Sequence, residues 1–372
     1  MSKLPYRIGV IGSGFISKSF VINVMNNVPD LTISKVLTRT NIKNRTDFPY
    51  HGLLTNSLDD VVKNSDIIFE CSGDVEHTTE CMLGLIDLNK EIPVVTMNIE
   101  FHVTVGRFFN NRLYITEANG DQPGVILTTI KELQNCGLKP YNCGIYKKYY
   151  NPAPTDEQIL QYAKMYGLST DKVRIFTNGT KITAEMIFIC NNLKWILNST
   201  RSISDSGLGS LHSVNWYTGS GKDAISVIYE SDNSTLTKHL SYFNGGNVIN
   251  EKYFRITKPH LCAFQAVETI KDIIYNKSKF LMQNTHNRYM LAAAATRSIK
   301  AGTVIGGNPF GHPSLNGLAA PGYINSLHVP LGLLQHATII NDIHPSTMLN
   351  VEDVELDSSK KCVKLWKLMT NG

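Results

Sequence analysis

Residues Tyr6–Ser17, YRIGVIGSGFIS, decide the fold. A short apolar run ends at Gly12, and a segment with helical spacing follows at once. Gly12 and Gly14 have the spacing of the first two glycines in a dinucleotide-binding fingerprint. The small Ser17 stands where that fingerprint usually has a third glycine or an alanine. In that motif the first glycine makes a tight turn, the second lets the backbone approach a pyrophosphate, and the helix N-terminus attracts the negative charge. The alternative interpretation is a plain glycine turn.

Strand and helix patterns alternate through the first third of the chain, and the apolar runs are nearly continuous. Such runs are typical of strands buried on both faces, and the alternation predicts βαβ units with a parallel sheet. The predicted helix Phe15–Met25 has Phe15, Phe20, Ile22 and Met25 on one face. The other predicted elements are the strands Leu31–Leu37, Ser65–Cys71 and Ile92–Met97, a helix containing Val61–Asn64, and the helix His77–Leu88.

We predict an α/β fold in three parts. These are an NAD(P)-binding Rossmann domain with a doubly wound parallel sheet (residues 1–125), an α+β catalytic and dimerisation domain (residues 126–284), and a small β-rich module (residues 285–372). Helical spacing in Leu261–Tyr275 suggests that this helix returns to the first domain, and Arg297–Ile305 weakly echoes Asn341–Leu349. In the middle part the predicted helices are Pro123–Cys136, Asp156–Tyr166 and Ile182–Leu197, and the predicted strands are Val214–Tyr217, Ala224–Tyr229 and His239–Phe243.

Composition excludes several classes of protein. The 372 residues include 36 Lys and Arg against 31 Asp and Glu, a formal net charge of +5, with 42% hydrophobic and 18% charged residues. Such a chain can bury a core, and it has neither a basic run suited to nucleic acid nor an apolar run of about 18 residues suited to a membrane. The seven cysteines form no CxxC pair, which predicts reduced thiols, a cytoplasmic location and no metal site.

The end of the second predicted strand indicates which nucleotide binds. An NAD site usually has an Asp or Glu there to bind the ribose 2′-hydroxyl. This chain has Thr38, Arg39 and Thr40 instead, and an arginine can pair with a 2′-phosphate. The sequence therefore favours NADP over NAD, the alternative being a solvated surface arginine.

Polar residues also follow the third and fourth predicted strands, at the sheet edge where ligands bind in doubly wound folds. Asn98 and Glu100 are placed to face the nicotinamide or the substrate, and the alternative is a strand-capping Asn with a surface Glu. The predicted cofactor-binding residues are Gly12, Gly14, Phe15, Ile16, Thr38, Arg39, Thr40, Ser72, Gly73 and Asn98.

Two later segments carry lysines. Gly144–Asn151, GIYKKYYN, contains Lys147 and Lys148, whereas Thr177–Lys181, TNGTK, opens a predicted helix with Glu185 one turn on. Donors at a helix N-terminus suit an anionic group, and a lysine beside a carbonyl can relay a proton during hydride transfer. Taken alone, Lys147 fits a solvated turn better than a catalytic role, and for Lys181 the two interpretations stay open.

Several ordered segments resemble the homoserine dehydrogenase-like oxidoreductases that end in a SAF domain, a family that includes the 1-deoxy-D-xylulose 5-phosphate reductoisomerase-like enzymes. The segments are IGVIGSGFIS, MNIEFHVTVG (Met97–Gly106), GDQPG (Gly120–Gly124), FTNGTK (Phe176–Lys181) and HVPLGLLQHATIINDI (His328–Ile343). The resemblance implies a Rossmann domain, a catalytic α/β domain, a terminal β-clip module and NAD(P)-dependent chemistry on a small polar carbonyl or alcohol. It also implies that Lys148 is the better-matched lysine of its segment. Ile99 stands where homoserine dehydrogenases have a lysine, which weakens homoserine as the substrate.

Three functional interpretations follow. The first is an NADP(H)-dependent oxidoreductase, either a reductase or a reductoisomerase-like enzyme, that acts as a homo-oligomer on a phosphorylated or carboxylated small molecule. In it Lys148 or Lys181 stabilises the developing alkoxide and supplies its proton through Glu185, while Asp121 and Asn98 orient substrate hydroxyls. The second is homoserine dehydrogenase itself. The third is a non-catalytic nucleotide-binding sensor whose terminal module binds a sugar or a partner.

Overall fold

The computed structural model describes residues 5–88, 91–151, 153–198, 208–218, 223–243, 248–249, 252–322 and 326–370. Within these ranges no helix has the length and apolar character needed to cross a bilayer.

The first part of the chain forms a six-stranded parallel sheet in the order β3-β2-β1-β4-β5-β6. Because the chain leaves β1 first towards one edge and later towards the other, the strand order reverses between β1 and β4, and a crevice opens there at the carboxyl ends of the strands. The predicted doubly wound α/β fold is confirmed. Its elements are β1 (Tyr6–Ile11), α1 (Phe15–Asn27), β2 (Leu31–Leu37), β3 (Leu54–Thr55), α2 (Leu58–Lys63), β4 (Ile67–Glu70), α3 (Val75–Asp87), β5 (Val94–Thr96), α4 (Ile99–Thr104) and β6 (Ile115–Glu117).

Helix α1 buries a different face from the predicted one. Phe20 is buried, but Phe15, Ile22 and Met25 are 62%, 43% and 36% exposed. At about 100° per residue these three positions lie about 140–200° around the helix from Phe20. The buried stripe consists instead of Ser17, Phe20, Val21 and Val24.

The middle part contains a mixed five-stranded sheet in the order β11-β10-β7-β9-β8. Strand β7 lies at its centre, parallel to β9 and antiparallel to β10. The last helix, α10, packs against α1 and shares a core with β1 and β4. The elements are α5 (Gln122–Asn135), β7 (Lys139–Lys147), α6 (Asp156–Tyr166), α7 (Thr170–Thr177), α8 (Thr180–Leu193), β8 (Ile196–Leu197), β9 (Ser213–Thr218), β10 (Ala224–Glu230), α9 (Ser234–Phe243), β11 (Tyr253–Lys258) and α10 (Ala263–Asn276).

The prediction of a strand at His239–Phe243 is wrong, because these residues end helix α9. The Asn233 side chain accepts hydrogen bonds from the backbone N–H groups of Thr235 and Leu236, both at 3.0 Å, and so starts the helix. This local cap outweighs the β-like appearance of the following residues.

The last part pairs short strands and ends in a helix that docks on the first part. The two segments that echo each other in sequence lie face to face, with hydrogen bonds of 3.0 and 2.8 Å in both directions between the backbones of Ile299 and Ile343. Glu76 on α3 accepts hydrogen bonds from the N–H groups of Lys361 and Cys362 at 2.7 and 2.9 Å, which caps the terminal helix. The elements are β12 (Tyr289–Ala295), β13 (Leu315–Pro321), β14 (Thr338–Ile339), β15 (Val354–Glu355) and α11 (Lys361–Thr370). The resemblance of this part to a SAF domain stays a prediction.

Candidate active site

The turn between β1 and α1 has the shape that a dinucleotide pyrophosphate needs. Gly12 has φ +103°, and a Cβ atom there would lie 2.8 Å from the Ser72 Cα. At Gly14 a Cβ would meet nothing within 4 Å, so the backbone borders open space. Helix α1 has neither a side-chain N-cap nor an acidic residue in its first turn, which leaves its amide groups free to bind an anion. These residues fit the cofactor that the sequence predicts.

The crevice beside this turn has a volume of about 360 Å³, and Gly12, Gly14 and Phe15 line it together with Thr38, Arg39, Thr40 and Ser72. The structure thus brings most of the predicted cofactor set together. Arg39 is mostly exposed, and its Nη2 lies 2.8 Å from the Asp74 Oδ2 across the crevice. Asp74 also caps α3, because it accepts a hydrogen bond from the His77 N–H at 3.0 Å.

Arg45 is a residue at this crevice that the sequence analysis missed. Its guanidinium donates to both the Ser13 hydroxyl and the Ser13 carbonyl, the latter at 2.6 Å, and to Asp47 at 2.9 Å. Ser13 in turn donates to the buried Thr38 hydroxyl at 2.9 Å. Arg45 lies several residues beyond the strand end that the nucleotide fingerprint singles out, so the motif gave no signal for it.

A second cavity, of about 510 Å³, joins the Rossmann sheet to the middle part of the chain. One wall consists of residues at the carboxyl ends of the parallel strands, including Gly73 and Met97, with Ile16 from α1. The rest of the lining comes from Asp121 at the N-cap of α5, from the end of β7, and from helices α6, α7 and α8. The charged residues that line this cavity are Glu100, Asp121, Lys147, Lys148, Lys172, Lys181, Glu185 and Asp223.

Lys181 lies at the centre of a cluster among these charged residues. Its Nζ is 3.2 Å from the Asp121 Oδ2, 3.7 Å from the Glu100 Oε2 and 3.9 Å from the Glu185 Oε1. Lys181 and Glu185 lie one turn apart on α8, and Asp121 is the N-cap of α5. Three elements with unrelated sequences therefore bring three carboxylates to one ammonium group.

Burial and charge set the protonation of the cluster. Burial alone would lower the pKa of Lys181, but Asp121, Glu100 and Glu185 outweigh it and hold that pKa above its ordinary value. Burial opposes ionisation of Asp121, yet Lys181 holds its pKa below the usual range. For Glu185 burial prevails over the attraction of Lys147 and Lys181 and raises the pKa to about 7. The cluster thus has a permanent cation and one carboxyl that titrates near neutrality.

Of the two adjacent lysines, Lys147 and not Lys148 joins the cluster. The Lys147 Nζ lies 3.7 Å from the Glu185 Oε2 and donates to the Gln122 Oε1 at 2.5 Å. Lys148 is exposed at the border of the cavity, and its backbone N–H donates to Asp223 at 2.9 Å. Neighbouring residues at the end of a strand point in opposite directions, so only one of them can face Glu185.

Asn98 serves the fold rather than the cavity. Its side chain is fully buried, accepts from the Phe101 N–H at 3.1 Å as the N-cap of α4, and donates to the Thr78 hydroxyl at 2.9 Å. These contacts fit the capping alternative, and a contact of Asn98 with cofactor or substrate stays a prediction. Ser72 also makes hydrogen bonds within the protein, because its N–H and hydroxyl both donate to the buried Glu70 carboxylate, at 2.8 and 2.6 Å.

Other cavity residues carry no sequence signal that points to this site. His260 contributes its ring, with Nδ1 3.3 Å from the Gly120 carbonyl, and Lys172 reaches in from α7. Tyr149, Tyr162 and Tyr166 form an aromatic wall. Among the described residues no three His, Cys, Asp or Glu side chains are arranged to hold a metal ion.

Comparison with known proteins identifies part of this architecture. A family model described as the catalytic domain of oxidoreductase DRL matches residues 120–202, the stretch that contains Asp121, Lys147, Lys181 and Glu185. With this match and the nucleotide crevice, the chain is an enzyme of the NAD(P)-dependent oxidoreductase class. No match was found among curated proteins.

Solved structures that the chain matches include a dehydrogenase from Clostridium difficile, with 13% identity over 73% of this chain and 91% of that one and a TM-score of 0.39. An oxidoreductase from Bacillus cereus has 11% identity over 75% of this chain and 92% of that one, with a TM-score of 0.40.

Proposed function

We propose that this protein transfers hydride between NADP(H) and the carbonyl or alcohol carbon of a small, polar, anionic substrate. The observation that carries the proposal is the Lys181 cluster, which lies in a cavity whose other wall is the nucleotide-binding edge of the Rossmann sheet. A hydride acceptor bound there would have a fixed positive charge and a titrating carboxyl beside its oxygen.

The cofactor would be held by the amide groups at the start of α1, with Gly12 and Gly14 providing its close approach to the backbone. Bound in this way, the nicotinamide supplies the hydride. Arg39 favours NADP over NAD, because its guanidinium lies at the edge of the crevice. There the guanidinium could leave its ion pair with Asp74 and form one with the 2′-phosphate of NADP instead.

The two principal side chains have different roles in this proposal. Lys181 stays protonated and stabilises the negative charge that develops on the carbonyl oxygen. Glu185, whose pKa is about 7, supplies the proton that turns this oxygen into a hydroxyl group, and it recovers the proton from solvent. In the oxidative direction the same carboxylate accepts the proton.

The positive groups at the cavity support an anionic substrate. Lys147 and Lys181 are balanced by carboxylates, whereas the Lys148 side chain lies at the exposed border, where it can meet a phosphate or carboxylate of the substrate. Coupled isomerisation and homoserine as a substrate are narrower proposals, and no contact in the cavity favours either of them.

Fluorescence titration with NADPH and NADH tests the cofactor, and a panel of phosphorylated and carboxylated carbonyl compounds tests the reaction. We expect NADPH to bind at least about tenfold more tightly than NADH. Lys181→Met should keep the NADPH affinity but lose about 100-fold or more in turnover, because it removes the charge that stabilises the alkoxide. Tight nucleotide binding with no turnover on any compound would favour the sensor, and binding of neither nucleotide would refute the proposal.

A further inference from the structure

Helices α6 and α7 form a hairpin that reaches from the middle part of the chain to the nucleotide crevice. Gly167, in the left-handed conformation with φ +64°, ends α6 and lines the same crevice as Gly12 and Gly14. Two residues later Ser169 starts α7 by accepting a hydrogen bond from the Lys172 N–H at 3.3 Å. The turn of this hairpin therefore places the first turn of α7 beside the cofactor site.

Lys172, in the first turn of α7, lines the substrate cavity and lies next to Gly73. Its Nζ lies so close to Gly73 that a Cβ atom on that glycine would be 2.6 Å away. Gly73 follows β4, at the edge of the sheet where the strand order reverses and ligands bind. Lys172 and Gly73 also line the substrate cavity, whereas Ser72 and Gly167 line the nucleotide crevice. The ammonium group thus lies at the junction of the two spaces.

The charge of Lys172 is unbalanced, unlike that of other cations nearby. Arg39 pairs with Asp74, Lys147 with Glu185, and Lys181 with Asp121. No carboxylate oxygen of the described residues lies within 4.0 Å of the Lys172 Nζ, and the side chain is half-buried. A half-buried ammonium group without an acidic partner is well suited to bind an anion from outside the protein.

We propose that Lys172 binds phosphate oxygens at the junction of the nucleotide crevice and the substrate cavity. The proposal rests on the proposed function. Two ligands have this chemistry: the pyrophosphate of the dinucleotide, which lies along the start of α1 in this type of fold, and a phosphate group of the substrate. In either case Lys172 adds a cation from α7, beside Gly73, and none of the sequence motifs pointed to it.

The test compares Lys172→Gln with Lys164→Gln, which removes an equal charge from an exposed position on α6. Nucleotide affinity is measured by fluorescence titration with NADPH and NADH. Binding of inorganic phosphate to the NADPH-saturated protein is measured by calorimetry. Urea unfolding of both variants checks that they fold as the wild type does.

If Lys172 binds the pyrophosphate, K172Q weakens NADPH and NADH alike, by about tenfold, and K164Q weakens neither. If it binds a substrate phosphate, K172Q keeps both nucleotide affinities but loses the phosphate binding that wild type and K164Q retain. The proposal is overturned if K172Q matches the wild type in both measurements, or if it weakens NADPH alone, which would place the lysine at the 2′-phosphate. If the wild type binds neither nucleotide, the proposed function fails, and phosphate binding to the free protein with and without the substitution then decides the role of Lys172.

Discussion

Replacing Glu185 by glutamine should stabilise the folded protein above neutral pH. The carboxyl is 1% exposed, and its Oε2 has no hydrogen-bond partner among the described residues. Burial raises its pKa from an ordinary 4.5 to about 7, despite the attraction of Lys147 and Lys181. Glutamine has nearly the shape of the protonated acid but never ionises, so it keeps the packing and removes the cost of a buried negative charge.

The sign and size of the effect follow from proton linkage. Between pH 4.5 and about 7 the folded protein holds a proton on Glu185 that the unfolded chain has lost. The stability that this proton provides is complete at low pH and is lost as the pH rises through the folded pKa. The interval of about 2.5 between the two pKa values corresponds to about 3.5 kcal/mol at full ionisation, at about 1.4 kcal/mol per pH unit.

Urea unfolding of wild type and E185Q across the pH range measures this difference in the free energy of unfolding. The contributions of ionisable groups that both proteins share cancel in the difference. We expect E185Q to exceed the wild type by less than about 1 kcal/mol at about pH 5 and by about 3 kcal/mol at about pH 8. Glu157→Gln, an exposed change on α6, should differ from the wild type by less than about 0.5 kcal/mol throughout. Parallel curves for E185Q and wild type would show that Glu185 does not carry a raised pKa and would remove its assigned role as proton donor.

Three further predictions concern the crevice and the terminal helix. Arg39→Ala should weaken NADPH binding by about tenfold in a fluorescence titration and leave NADH unchanged, and an equal loss for both nucleotides would contradict the 2′-phosphate argument. Gly12→Ala, at φ +103° and with its Cβ 2.8 Å from the Ser72 Cα, should cost about 1–3 kcal/mol in urea unfolding and abolish nucleotide binding. Glu76→Ala removes both acceptors at the start of α11 and should cost about 1–2 kcal/mol, whereas Glu80→Ala, exposed on the same helix, should cost little.

The first part of the fold could be predicted because its signals are local. A turn that needs glycine at Gly12, a helix that begins directly after it and nearly continuous apolar strands are all readable within about ten residues. The buried face of α1 could not be predicted from the sequence, because each face of this helix has apolar residues. Which face turns inward depends on packing against α10, about 240 residues later in the chain.

The site was predictable only in part, and the adjacent lysines show why. The segment GIYKKYYN marks a basic group near the cavity, but sequence cannot say which lysine faces inward. The answer depends on the register of β7, in which Tyr146 pairs with both Ala224 and Tyr217, and Lys147 pairs with Thr218. Because side chains alternate between the faces of a sheet, a shift of one residue would exchange Lys147 and Lys148.

The contacts with the ammonium groups explain why Glu185, rather than Asp121, holds an exchangeable proton near neutral pH. Both carboxyls are buried, and burial raises the pKa of a carboxyl unless a nearby cation offsets it. Asp121 has the closest ammonium contact, 3.2 Å, whereas both contacts of Glu185 are longer, 3.7 and 3.9 Å. The proton therefore resides on Glu185. Reduction of a carbonyl by hydride needs one proton for the new hydroxyl group, and Glu185 carries one below a pH of about 7.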